Sequence, residues 1–503
     1  MDVIVDGGPL SVEDVVAVAR RRVGAGPGPN REERMAPARQ VVAEAVDSGE
    51  IVYGITTGFG AFASTRIDPS QARLLQVNLL RSHAAGVGNP LSDDLVRAML
   101  LLRARTLAQG NSGVRTLIVE RLLKLLELNL LPVVPTYGSV GASGDLAPFA
   151  HLALPLIGEG SINDNGVVRP AADALADAEL EPIQLEAKEG LSLLNGTEGM
   201  SAMLCLGIER ATRLTAVADM AAALSVEALM GSARPFRPEI HALRPHPGQI
   251  ASAARIARLL EGSEIGSSHA DDFVHAVQDA YSLRCAPQVH GAAADTIEHA
   301  RRVVTIEMGA VVDNPIVLPA IGEVISGGNF HGQPLAFAAD FLTIAVTELG
   351  SISERRTDRL LDPERSAGLP AFLSPEPGLH SGYMLAQYTA AALVAENRVL
   401  SHPASVESIP TSGSQEDHVS MGWGAARKLG DVLDNTSWVV AVELLCGAEG
   451  IAGRAPLRPA PGTAAVVDVV RSRVAPLRED RPIGADIEAV ARLISEGAFD
   501  ELM

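Results

Sequence analysis

The chain has 503 residues, with 61 acidic and 41 basic side chains and a net charge of −20. That length provides two or three domains' worth of core, and so acidic a balance excludes nucleic acid or an anionic membrane as the natural partner. Only Lys124, Lys188 and Lys428 are lysines, which leaves few candidates for Schiff-base or pyridoxal-phosphate chemistry, and Lys124 and Lys428 read as ordinary surface charges.

In chain order, Val3 to Val5 reads as a short strand. Ser11 starts a helix: Asp14 stands three residues on, and Leu10 and Val15 form a hydrophobic staple. Gly24 to Asn30 reads as a loop. Its glycines lack the third spacing and the preceding strand of a dinucleotide fingerprint, and no Walker-type loop occurs. Ile51 to Tyr53 reads as a second strand. Ser92 starts another helix, with Leu91 and Val96 as its staple. Val114, Ile118, Leu122, Leu125 and Leu126 then form an apolar stripe that ends near Pro132 and Pro135.

The stretch 201–230 is helical and alanine-rich. Segments 333–359, 380–400 and 427–450 are long and apolar, as expected of bundle helices that bury more than one face, and of an oligomer. Leu335 to Leu349 carries Asp340 and Glu348, which fits a buried helix rather than a membrane span. Shorter helices follow Thr463 and Asp486. Cys205, Cys285 and Cys446 lie far apart, so neither a zinc ribbon nor a disulfide framework is expected. The twelve histidines show no HExxH-type spacing, so no metal site is expected. With no basic-then-apolar leader pattern at Met1-Asp2, the expected location is cytoplasmic.

Several glycine-rich polar segments interrupt the helices. Gly138-Ser139-Val140-Gly141-Ala142-Ser143-Gly144-Asp145-Leu146-Ala147-Pro148 reads in one way as a helix start, with Ser143 or Asp145 as cap. It also permits backbone cyclisation. The Gly144 nitrogen can attack the Ala142 carbonyl in a tightly bent loop, and loss of water from the ring and from Ser143 leaves a methylidene imidazolone. Tyr53 sits in the glycine loop Tyr53-Gly54-Ile55-Thr56-Thr57-Gly58-Phe59-Gly60, where it is either a packing residue or a base. Gln278, Tyr281, Arg284 and Gln288 are spaced to share one helical face, which is either solvated or a carboxylate-binding surface.

These segments resemble, in order, those of the aromatic amino acid ammonia-lyase family. The resemblance rests on 138–148 and on the Tyr53 loop. It extends to Asn78 to Gly88, Leu194-Asn195-Gly196-Thr197, Gln278 to Gln288, Asp313-Asn314-Pro315, Gly327-Gly328-Asn329-Phe330 and Gln415-Glu416-Asp417-His418. It implies a mainly α fold of aspartase/fumarase-like architecture. A mixed N-terminal domain (1–195) would carry the prosthetic-group loop, and a long-helix bundle (196–503) would follow. The implied cofactor is a methylidene imidazolone formed autocatalytically from Ala142, Ser143 and Gly144, with no external cofactor. Tyr53 is implied as base, and Tyr281 and Glu416 as further catalytic groups. Asn195, Gln278, Arg284, Asn314, Phe330 and His83 are implied at the substrate, with Arg284 on its carboxylate.

The pair Ser82-His83 is similar to that of family members acting on histidine, and Glu416 stands where members acting on uncharged rings tend to carry glutamine. Glu198 likewise stands where many relatives carry glutamine. The implied reaction is elimination of ammonia from L-histidine to give trans-urocanate, the opening step of histidine degradation. The alternative is a tyrosine lyase or an aromatic aminomutase with the same prosthetic group. The implied assembly is a homotetramer with shared active sites, and the only small-molecule partner is the amino acid.

Overall fold

The computed structural model describes residues 2–269 and 278–503. The chain is mainly helical and divides into two compact units. The first gathers Met1–Leu206, Ala300–Asp340 and Pro403–Arg427, and the second Gly207–His299, Phe341–His402 and Lys428–Met503. Four long helices, Glu198–Ala228, Ala286–Gly309, Gln333–Leu361 and Gly422–Ala452, give residues to both units. The loop 138–148 lies wholly in the first.

In the first unit the helix Val12–Ala19 begins as expected: the Ser11 hydroxyl accepts from Asp14 N at 3.0 Å, and the Asp14 carboxylate accepts from Ser11 N at 3.1 Å. The helix Asp93–Ala108 is buried on every face from Leu95 onward, including Arg97, Arg103 and Arg105. Such arginines persist in a core when most of their donors are used. Arg105 shows how: it donates to the carbonyls of Gly7, Gly8, Gly309 and Ala310 at 2.8–2.9 Å. Thr116–Leu128 carries the apolar stripe and stops at Asn129, whose φ is 56°.

Several expectations change. Ala25–Pro27, inside the expected loop, is a strand paired in parallel with Val3–Val5; Gly28 then passes so close to Asp6 that a Cβ would lie 2.6 Å from its side chain. Ile51 to Tyr53 is not a strand. Gly54 turns the chain at φ 69°, and the Thr56 hydroxyl accepts from Val52 N at 2.9 Å, so local bonds replace a ladder. Lys428 is buried, its ammonium donating to the His402 carbonyl, and is no surface charge.

In the second unit the four long helices meet around a buried charge array. Arg356 pairs with Glu443 at 2.5 and 2.9 Å, and His290 Nδ1 donates to Asp219 at 2.7 Å. Gln333–Leu361 is long and apolar enough to cross a bilayer, yet 67% of its most apolar window is buried inside the protein. The face expected for Gln278 to Gln288 is not one helix. A short turn, Tyr281–Arg284, ends at Cys285, and Ala286–Gly309 starts afresh. Pro287 explains the break, because it has no N–H to continue the earlier ladder.

Candidate active site

The strand Pro135–Tyr137 delivers the chain into the glycine loop, and the helix Leu146–Ala153 carries it out. Gly141 and Gly144 have φ of 67° and 76°. A Cβ on Gly144 would lie 2.0 Å from the Gly196 carbonyl oxygen, so no other residue fits there. Asp145 N donates to that same oxygen at 2.9 Å. The Asp145 carboxylate is fully buried, accepting from Met200 N at 3.0 Å and from the Ser139 hydroxyl at 3.3 Å; burial pushes it up to about 7. Ala142 is buried, while Ser143 is half-buried and lines a cavity of about 660 Å³.

Tyr53, His83, Asn195 and Glu416 line the same cavity. The Tyr53 hydroxyl accepts from Gly60 N at 3.3 Å, and its ring stands edge-on to Phe59. Burial pushes the Tyr53 phenol up, and the Glu416 charge pushes it further; the Gly60 N–H opposes them. Among the described residues no positive group acts on Tyr53, and the Gly60 N–H is the influence that favours its phenolate.

His83 Nδ1 lies 3.0 Å from the Leu79 carbonyl, which can only accept, so the proton is on Nδ1 and Nε2 is an acceptor. Burial holds His83 below its ordinary range, in the neutral form. Glu416 is steadied by the Thr411 hydroxyl at 2.9 Å. The turn after Thr411 reaches the tyrosine loop, where Ala61 N donates to the Ser412 hydroxyl at 3.3 Å. Asn195 is buried; its amide nitrogen donates to the Asn314 carbonyl at 2.5 Å, and its Oδ1 has no hydrogen-bond partner.

Other expected residues do not line this cavity. The Asn314 side-chain oxygen accepts from Gly327 N and the Ser326 hydroxyl, so Asn314 braces Asn195 through its backbone. Phe330 is half-buried in the segment after Gly327. Gln278, Tyr281 and Arg284 belong to the second unit. There Gln278 and Arg284 line a separate cavity of about 580 Å³. Arg284 Nε donates to the Asp279 carbonyl at 2.9 Å, its guanidinium lies 4.5 Å over the Tyr281 ring, and Tyr281 is 72% exposed.

The sequence reading missed Arg103, the Lys188–Asp313 pair at 2.7 Å and the Thr411–Ser412 brace. Arg103 sits in an unbroken helical run and shows no local signal. Asp145 was visible only as a cap candidate.

These features fit a methylidene imidazolone made from Ala142, Ser143 and Gly144. The cradle at Gly144 admits only glycine, and the serine faces the cavity.

The family described as aromatic amino acid lyase matches residues 10–472. Histidine ammonia-lyase of Gloeobacter violaceus is 53% identical over 98% of this chain and 96% of its own, and that of Deinococcus radiodurans 54% over 98% and 93%. Among solved structures, tyrosine aminomutase from Streptomyces globisporus superposes with a TM-score of 0.95 at 40% identity, covering 100% of this chain and 98% of its own. Histidine ammonia-lyase from Trypanosoma cruzi gives 0.91 at 43%, covering 100% and 95%. The long-helix bundle with its mixed N-terminal part is the aspartase/fumarase-like architecture. Since the match runs through both units and takes in the glycine loop, the chain belongs to the aromatic amino acid lyase family.

Proposed function

We propose that this enzyme eliminates ammonia from L-histidine to give trans-urocanate. The observation that carries the reading is the pairing of His83 and Glu416 in one cavity with Tyr53 and Ser143. Relatives about 50% identical over nearly the whole chain carry the name histidine ammonia-lyase. A neutral His83, accepting at Nε2, and the Glu416 carboxylate present two acceptors. An imidazolium donates from both ring nitrogens and satisfies both; a phenol has one donor and a phenyl ring none. The solved aminomutase shares the fold, but this acceptor pair favours the imidazole ring.

The prosthetic group made by Ala142, Ser143 and Gly144 supplies an electrophilic carbon that no ordinary side chain offers. The other roles fall to side chains. His83 and Glu416 hold the ring. Tyr53 accepts the β-proton at its phenolic oxygen. Asn195 offers Oδ1 to a donor in the cavity. We assign the substrate carboxylate to Arg284, with Gln278 and Tyr281 beside it. We further propose a homotetramer in which neighbouring chains complete each site, in keeping with so exposed a Tyr281. Three free cysteines, two of them buried, agree with a reducing cytoplasm.

Substrate choice tests the reading. His83→Leu removes one acceptor and leaves an apolar wall. A buried donor without its partner costs about 1–3 kcal/mol, or about one to two orders of magnitude in kcat/KM for histidine. Trace turnover of phenylalanine or tyrosine should persist or rise. Assaying urocanate by absorbance beside cinnamate and coumarate checks this. Wild-type preference for tyrosine, or equal loss on all substrates, refutes the histidine assignment.

Arg284→Lys should raise KM for histidine by about tenfold, because an ammonium cannot reproduce the bidentate fork on a carboxylate. Unchanged KM removes Arg284 from the carboxylate site.

A further inference from the structure

We propose that the buried Arg103–Glu198 ion pair is a positioning device for cofactor formation: it holds Gly196 against Gly144 so that Ala142-Ser143-Gly144 can close into a ring. This rests on the reading that the tripeptide becomes the prosthetic group.

Arg103 lies on Asp93–Ala108, fully buried, with its guanidinium 4.4 Å over Phe149 in the helix that follows the loop. Its Nη1 donates to the Asn195 carbonyl at 2.6 Å and the Ser192 carbonyl at 3.2 Å. Its Nη2 donates to Glu198 Oε2 at 2.7 Å. One planar fork thus grips the turn 195–197 on both sides, which a point charge on a flexible stem cannot do. Gly196 is caught between two layers. On one side a Cβ on Gly144 would meet the Gly196 oxygen at 2.0 Å. On the other a Cβ on Gly196 would meet Glu198 Oε2 at 2.2 Å and Arg103 Nη2 at 2.6 Å. The ion pair is therefore the rigid backing behind the turn that presses on the loop. The loop is tied to this backing by Asp145 N on Gly196 O and by Met200 N on the Asp145 carboxylate.

Ring closure needs this compaction. The Gly144 nitrogen forms a bond to the Ala142 carbonyl carbon, and its proton passes to the carbonyl oxygen. That oxygen leaves as water with the Ser143 amide proton, giving a C=N bond. The Ser143 hydroxyl then leaves as water with the α-proton, giving the exocyclic C=C bond. Two waters depart, and no oxidant or reductant is consumed. An open loop keeps nitrogen and carbonyl carbon apart, so the rate depends on how firmly Gly144 is held.

The test is intact mass of the freshly purified full chain, with helical content and melting temperature measured alongside. Wild type should weigh two waters less than its sequence. Arg103→Lys keeps the charge without the fork, and Glu198→Leu keeps bulk without the acceptor. Each should fold with wild-type helical content, carry at least half its molecules at the linear mass, and lose water at least about tenfold more slowly on incubation. Glu198→Gln keeps an acceptor for Arg103 and should show the full loss. Complete water loss at the wild-type rate in either folded variant overturns the proposal. So does failure of both to fold, which makes the pair a folding determinant instead. A wild type at linear mass overturns the underlying cofactor reading rather than the role of the pair.

Discussion

Ser143→Ala should give a folded chain with wild-type helical content and no measurable urocanate formation, a fall of at least about a thousandfold. The half-buried Ser143 faces the cavity, so trimming its hydroxyl opens no void in the core. The chemistry, by contrast, loses its leaving group. An alanine methyl cannot depart as water, so the exocyclic carbon never becomes electrophilic even if the ring closes. The mass separates these steps: wild type should be two waters light, and the variant one water light at most. Gly144→Ala makes a harsher comparison, since its Cβ would collide with Gly196 and the loop could not keep its shape. Near-normal turnover by Ser143→Ala would remove the cyclised tripeptide from the mechanism.

The loop was legible because its constraints are local. Gly144, Ser143 and Asp145 are adjacent in the chain, and glycine at a crowded backbone position has a direct physical reading. Tyr53 was legible for the same reason, although the strand expected before it was not formed: alternation over three residues cannot outweigh a glycine turn and a threonine hydroxyl that bonds the backbone nearby. What failed to show was long-range. Ala25–Pro27 pairs with Val3–Val5 across an intervening helix, and a two-strand parallel pair leaves no periodicity to find. Lys428 read as an ordinary surface charge, and Arg103 carried no local signal. Only the fold supplies carbonyls and a carboxylate that let an arginine or lysine stay buried. The spacing of Gln278, Tyr281 and Arg284 suggested one helical face, yet Pro287 resets the helix, so the arginine reaches its setting from a short turn.

Tyr53→Phe should lower kcat for histidine by about 10²- to 10⁴-fold, the usual contribution of a placed proton acceptor, with KM changed only a few-fold. The ring keeps its edge-on contact with Phe59, so binding shape survives while the accepting oxygen is gone. The wild-type pH profile should carry the signature of that oxygen. Burial and Glu416 raise the phenol above its ordinary value of about 10, so at neutral pH the basic form is scarce. Raising the pH increases it about tenfold per unit, and kcat at saturating histidine should climb on the alkaline side until the phenolate saturates, while kcat/KM stays flat there because free imidazolium falls as phenolate rises. His83, held below its ordinary range, stays neutral throughout that climb and adds no limb there. In Tyr53→Phe the alkaline climb should vanish. Glu416→Gln then tests the electrostatics separately. Removing the charge takes away one of the two influences that raise Tyr53, so the limb should move to lower pH, even as histidine turnover falls because an ionic acceptor for the ring is lost. A Tyr53→Phe enzyme with wild-type kcat would eliminate Tyr53 as the base. An alkaline limb that stays in place in Glu416→Gln would show that the two groups do not share one field, and that the carboxylate acts on the substrate ring alone.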